Sequence, residues 1–402
     1  MNYEKLICSR VADVPPSAIR RLFDIVNEME GAISLGVGEP DFTTPWRYSE
    51  AAVYSLKKGA THYSSNWGLP ELRKLIARYE KERFHVEYDW QNEVLVTVGA
   101  SEGIDLAMRA IVEPGDEIIV PNPTYISYAP CIAFAGGVCV PVATNAENSF
   151  KLTPDALRKA ITNKTKAIIL PYPNNPTGGV MRRADLQAIA DVLRDTEILV
   201  LADEIYAELT YGDEEHVSFA SLEGMRERTV TLNGFSKAFA MTGWRMGYAC
   251  APRELLSIMC RIHQYTMLCA PVPAQYASIE ALKWALESDF EDVRRMGREY
   301  DRRRKFIVAA LNDMGLRCHE PMGAFYAFPS IKNTGMTSQE FCEALLREQK
   351  VAAVPGDAFG TLGGGHIRMS YATSMENLVE AMRRTAKFMQ DRFDMKPNLE
   401  SI

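Results

Sequence analysis

Residues 167–206 read AIILPYPNNPTGGVMRRADLQAIADVLRDTEILVLADEIY. Residues 167–170 form a short apolar run closed by Pro, Asn and Gly. Apolar side chains then recur at helical spacing through 184–193, at Leu186, Ile189, Ala190 and Leu193. A second apolar run, 198–202, stops at Asp203. Two unbroken apolar runs around an amphipathic helix are the pattern of parallel strands buried on both faces and joined by a crossover helix.

The same alternation extends in both directions. Apolar runs at 93–98, 117–120, 138–142 and 229–232 predict further strands, and Pro70–Phe84, 102–111 and Pro154–Ala160 predict helices. The expected architecture is α/β, a large domain over 46–285 whose mainly parallel central sheet is flanked by helices. Beyond it, 287–314 reads as one long amphipathic helix. Its run Arg302-Arg303-Arg304-Lys305 reads as either an anion patch or a solvated helix face. Stretches 317–328, 351–355 and 365–370 read as short strands with helices between them. They predict a smaller α+β domain over 286–402, joined by 1–45 because domain termini often lie close together.

At 402 residues the chain is long enough for two cores, and 47% hydrophobic content places it among ordinary globular proteins. A formal charge of -7 argues against nucleic acid or an anionic membrane as partner. The eight cysteines form no C-x-x-C pair and accompany no His pair at zinc spacing, so no metal site is expected and a reducing compartment is. The start MNYEKLICSR lacks a basic-then-apolar leader, and no apolar run reaches a membrane span. A cytoplasmic location is expected.

In an open parallel sheet, ligands bind beyond the carboxyl ends of the strands. Run 167–170 leads into Asn174 and Asn175. Run 198–202 leads into Asp203 and Tyr206. Run 229–232 leads into NGFSKAFAMTGWRMGY, with Ser236, Lys237 and Arg245, and run 93–98 leads into a small-residue turn at Gly99, Ala100 and Ser101. Alone, each has an ordinary explanation: Asp203 as a helix cap, Lys237 as a surface lysine, NPTG as a turn. Together they gather an amine, a carboxylate, a phenol, an amide and a helix start. An aldehyde needs an amine, a pyridine that withdraws electrons needs a carboxylate at its nitrogen, and its ring oxygen needs hydrogen-bond donors. A phosphate needs backbone N–H groups at a helix start, a hydroxyl and an arginine.

The motifs S-K-x-x-A-M-T-G-W-R-x-G-Y, N-x-P-T-G and D-E-I-Y, in this sequence from GVGEPDF at 36–42 to HIRMSYA at 366–372, resemble the class I/II aminotransferases of pyridoxal-phosphate (PLP) fold type I. The subgroup resembled holds aspartate, aromatic and related aminotransferases. The resemblance implies PLP as cofactor and a ping-pong transfer of an amino group from an L-amino acid to a 2-oxo acid such as 2-oxoglutarate. It implies that Lys237 is the Schiff-base lysine and the acid/base. Asp203 is similar to the partner of the pyridine nitrogen, Tyr206 and Asn175 to the partners of the ring oxygen, and Tyr125 to the stacked aromatic ring. Ala100, Ser101, Ser236 and Arg245 resemble the phosphate cup. Arg368 and Gly38 match the residues that hold the substrate α-carboxylate, with Asn175 nearby. Tyr63 resembles a tyrosine reaching the phosphate of the other subunit, which implies a homodimer.

Two positions depart from the family pattern. Gly234 stands where many relatives carry Ser, and Ser101 where some aspartate-preferring relatives carry Lys. Tyr326, Phe328 and Phe23 are candidates for an apolar side-chain pocket, or plain core aromatics. A C–S β-lyase of the cystathionine type on the same fold is the alternative reaction. A PLP-binding regulatory module is disfavoured because only about 35 residues precede GVGEPDF, too few for a DNA-binding domain.

Overall fold

The computed structural model describes residues 1, 3–15, 29–212 and 215–395. Its centre is a seven-stranded sheet: β1 (Val94–Val98), β2 (Glu117–Asn122), β3 (Val138–Ala143), β4 (Thr165–Leu170), β5 (Leu199–Asp203), β6 (Thr229–Gly234) and β7 (Met246–Cys250). Their order across the sheet is β1-β7-β6-β5-β4-β2-β3. The strands from β3 to β6 pair in parallel, and β7 runs antiparallel to both neighbours. The buried strands are continuous in Val, Ile and Leu because helices cover both faces. On one face Ile104, Ala107 and Met108 of the helix Gly99–Ile111 meet Leu95, Ile118 and Leu201. On the other, Leu186, Ile189 and Leu193 of the helix Arg183–Leu193 meet Ile168, Leu170 and Val200.

The C-terminal part has its own core. A three-stranded antiparallel sheet of Val354–Pro355, Ile367–Ser370 and Tyr326–Ala327 packs with the helices Glu291–Asp313, Ser338–Gln349 and Met375–Phe393. From the N-terminal side, Ile33–Ser34 pairs in parallel with Val351–Ala352, and Leu35 lies in the same core.

Three sequence expectations need correction. Residues 287–314 are not one helix: Val272–Glu287 ends and Glu291–Asp313 begins across Asp289 and Phe290, both at positive φ. β7, unforeseen, lies between β1 and β6. The Arg302–Lys305 run is neither an anion patch nor a wholly solvated helix face. Arg303 and Arg304 are buried; Arg303 pairs with Asp41 and Glu299, and Arg304 with Asp301 and Glu320. Arg302 and Lys305 are ion-paired to Glu299 and Asp301.

Candidate active site

A cavity of about 340 Å³ opens at the carboxyl ends of the parallel strands, where the sheet meets the C-terminal part. Its lining includes Gly38, Ala100, Ser101, Tyr125, Asn175, Asp203, Tyr206, Ser236, Lys237, Arg245 and Arg368. Of the expected site residues only Tyr63 lies outside it, 82% exposed on the surface. Each loop delivers its residue at a strand end: Tyr125 after β2, Asn175 after β4, Tyr206 after β5, Ser236 and Lys237 after β6. Asp203 is the last residue of β5.

Lys237 Nζ donates to the Gly38 carbonyl at 2.6 Å. Burial pushes this ammonium down to about 8; the Glu39 carboxylate opposes the shift, and Arg368 and Arg245 reinforce it. A lysine so placed offers its neutral amine near physiological pH. Asp203 is buried, and burial raises its carboxyl above the ordinary range. Two hydrogen bonds hold it against that shift: Tyr128 OH donates to Oδ2 at 2.6 Å, and the Ile205 N–H donates to Oδ1 at 3.3 Å. Sequence reading missed Tyr128, although it stands three residues after Tyr125 at helical spacing. The two rings meet edge to face.

Arg368 lies at the far end of the cavity, 4% exposed. Its Nη1 donates to Asn175 Oδ1 at 2.9 Å and its Nη2 to the Gly36 carbonyl at 2.6 Å, while Nε has no partner. The rings of Tyr326 and Phe359 flank the guanidinium at 4.4 and 4.7 Å. Among the described residues no carboxylate pairs with it. The Tyr206 hydroxyl meets that of Tyr326 at 2.8 Å. Phe328, a pocket candidate, instead stacks on His366 in a separate cluster with Phe150, Val354 and Phe359. Phe23 lies outside the described residues.

The end of the cavity beside Arg245 is built by close backbone approach. Gly99, at φ +73°, opens the helix Gly99–Ile111, and a Cβ there would sit 2.6 Å from Arg245 Nη2. A Cβ on Gly247 of β7 would sit 2.4 Å from the Ala100 nitrogen. The first N–H groups of a helix lack intrahelical acceptors, and here they lie beside a guanidinium and the Ser236 side chain. Gly234 faces Gly247, and a Cβ there would sit 2.8 Å from its Cα. The missing hydroxyl at 234 therefore follows from backbone packing.

The amine, buried carboxylate, phenol, amide and helix-start anion site fit PLP. The profile of the family described as aminotransferase class I and II matches residues 30–384. The chain belongs to the class I and II aminotransferases. An aspartate aminotransferase from Pyrococcus abyssi is 48% identical over 94% of this chain and 97% of its own. Aromatic-amino-acid aminotransferase 2 of Thermococcus litoralis is 44% identical over 96% of this chain and 99% of its own. The crystal structure of an aromatic aminotransferase from Pyrococcus horikoshii has a TM-score of 0.88 at 45% identity, covering 92% of this chain and 99% of that one. This aminotransferase is PLP-dependent, as its family is, and has the fold type I architecture. Relatives this similar are aminotransferases, which favours transamination over the C–S β-lyase alternative. No helix among the described residues is long and apolar enough to cross a membrane.

Proposed function

We propose that the enzyme transfers the amino group of an aromatic amino acid, aspartate or a related L-amino acid to a 2-oxo acid such as 2-oxoglutarate, with the cavity residues in the following roles. The observation that carries this is the meeting of Lys237, Asp203, Tyr206, Asn175, Arg245 and Arg368 in one cavity. Bound PLP supplies an electron sink for the charge left when the substrate α-proton departs. Lys237 would bond the cofactor at rest, and its Nζ, once freed by the incoming amine, would take the substrate α-proton and return it. Asp203, whose carboxyl burial raises and the Tyr128 hydrogen bond draws back down, would pair with the ring nitrogen. Tyr206 and Asn175 would hold the ring oxygen by hydrogen bonds, and Tyr125 would pack against the ring. Ala100, Ser101, Ser236 and Arg245 would hold the phosphate. Arg368 grips the substrate α-carboxylate with its planar fork, beside Asn175 and Gly38. Lys237, Arg245 and Arg368 are the only lysines or arginines lining the cavity among the described residues. With Ser in place of Lys at 101, this supports an aromatic donor ahead of aspartate.

The reading extends to assembly. Trp46, Tyr54, Tyr63, Tyr265, Met267 and Leu268 are exposed, and Asn66 Nδ2 donates to the Leu268 carbonyl. Such apolar exposure supports a homodimer in which Tyr63 reaches the neighbouring site. The pairing of Ile33–Ser34 with Val351–Ala352 supports a small domain of 1–45 plus 286–402 beside a large domain of 46–285. Eight free cysteines support a cytoplasmic location.

The test is Lys237→Ala in the holoenzyme. Cofactor absorbance and the half-reaction with a panel of amino donors are the readouts. Turnover is expected to fall by about 10⁴-fold or more, with loss of the resting absorbance band. A variant that transaminates at the parent rate would overturn the assignment.

A further inference from the structure

The segment 36–42, GVGEPDF, carries two carbonyls that hold two of the three cationic side chains of the cavity: Gly36 O accepts from Arg368 and Gly38 O from Lys237. Two glycines in three residues give this segment little stiffness of its own. Its place depends on its ties. At entry, the Leu35 carbonyl accepts from the Ser370 N–H at 2.6 Å, and the Leu35 N–H donates to Ala352. In the middle, Thr242 Oγ1 donates to Glu39 Oε2 at 2.9 Å. At exit, Arg303 Nη1 lies 2.9 Å from both oxygens of Asp41, and Tyr300 OH donates to Asp41 Oδ1 at 3.3 Å. Phe42 packs edge to face on Tyr300, and the Arg303 guanidinium lies over both rings.

The exit tie is the stiffest. Arg303 is 6% exposed, and its Nε is occupied by Glu299 at 3.0 Å, so the fork cannot swing away from Asp41. Tolerance at Gly38 is small, because a Cβ there would sit 2.9 Å from the Tyr326 hydroxyl. A shift of Asp41 would move Gly38, three residues upstream, against Tyr326 or away from the cavity.

We propose that Arg303 is a positioning residue for substrate carboxylate recognition, acting through Asp41 on the 36–42 segment. It touches neither substrate nor cofactor. It fixes the backbone that faces Arg368, and so the space in which a carboxylate displaces the Gly36 carbonyl from the guanidinium. This rests on the reading of Arg368 and Gly38 as the carboxylate seat.

The test compares Arg303→Met, Arg303→Lys and Asp41→Asn holoenzymes with the parent in the amino-donor half-reaction, and measures PLP affinity separately. Arg303→Met and Asp41→Asn are expected to raise the donor KM by about tenfold or more, with PLP affinity held within about threefold. Arg303→Lys, which keeps charge but loses the fork, is expected to fall between. If Arg303→Met fails to fold, Asp41→Asn, nearly unchanged in volume, decides. A folded variant with KM within about twofold of the parent overturns the proposal, as does a loss of PLP affinity as large as the change in KM. Arg368→Ala run alongside separates the two readings. If it leaves KM unchanged, the carboxylate seat itself is wrong. If it raises KM while the Arg303 and Asp41 variants do not, only the positioning role is lost.

Discussion

Two buried guanidiniums that both contact the 36–42 segment have unlike surroundings. Arg303, in the helix Glu291–Asp313, meets the carboxylates of Asp41 and Glu299. Arg368, in the strand Ile367–Ser370, meets only an amide oxygen, a backbone carbonyl and two aromatic faces, and its Nε is left without a partner. A buried charge without a counter-charge costs several kcal/mol, so a fold keeps one where a ligand supplies the missing partner. Lys237 resembles Arg368: a part-buried amine held by a carbonyl, with its charge suppressed by desolvation. Glu80 is a third case, a fully buried carboxyl that takes a hydrogen bond from Tyr248 OH and has one oxygen unpartnered. Burial pushes it up to about 8, so a proton neutralises it where a partner does not.

The largest expected effect follows from exchanging both arginines for methionine. Arg368→Met is expected to lower kcat/KM for amino donors by about 10²–10³-fold while leaving thermal stability equal or higher, because an uncompensated buried charge is removed. Arg303→Met is expected to cost about 3 kcal/mol of stability, since it strands the Asp41 carboxylate and leaves Glu299 with Arg302 alone. Calorimetry alongside kinetics checks both. If both arginines matter equally to stability, the contrast is wrong.

A smaller effect concerns Lys237 in cofactor-free enzyme. With its ammonium lowered to about 8, the neutral amine gains as pH rises to that value and levels off above it. The rate of recombination with PLP is expected to rise about tenfold per pH unit below 7.5 and flatten above about 9. A rise continuing to pH 10.5, as for an ordinary lysine, would contradict the site's electrostatics.

The smallest effect is at Glu80. Its folded value lies above its unfolded one, so between about pH 4.5 and 8 the native state holds a proton that the unfolded chain has released. Stability is lost as pH rises through that window. Glu80→Gln is expected to remove this decline, so that its stability changes less than the parent's between pH 5 and pH 8.5. Parallel pH curves for the two proteins would refute it.

The sheet was legible because its buried strands are unbroken apolar runs closed by Asn, Asp, Gly or Pro, and the site because its residues follow those closures. β7 was not. Residues 246–250, MGYAC, are short, begin inside the Lys237 motif, and run antiparallel between β1 and β6, which no local pattern announces. The break between Glu287 and Glu291 was hidden for another reason. The turn uses Asp289 and Phe290 at positive φ, where glycine is the usual signal. The partners of the functional groups were the least legible. Tyr128 meets Asp203 across 75 residues and Arg303 meets Asp41 across 262, and only the folded chain brings them together.

The most direct test of the uncompensated cation as carboxylate seat uses paired substrates. The half-reaction rate of the holoenzyme is measured with an aromatic amino acid and with the corresponding amine lacking the carboxylate, in the parent and in Arg368→Met. The parent is expected to prefer the amino acid strongly, and the variant to lose that preference by about 100-fold or more. An unchanged ratio in a folded, PLP-loaded variant would contradict the account.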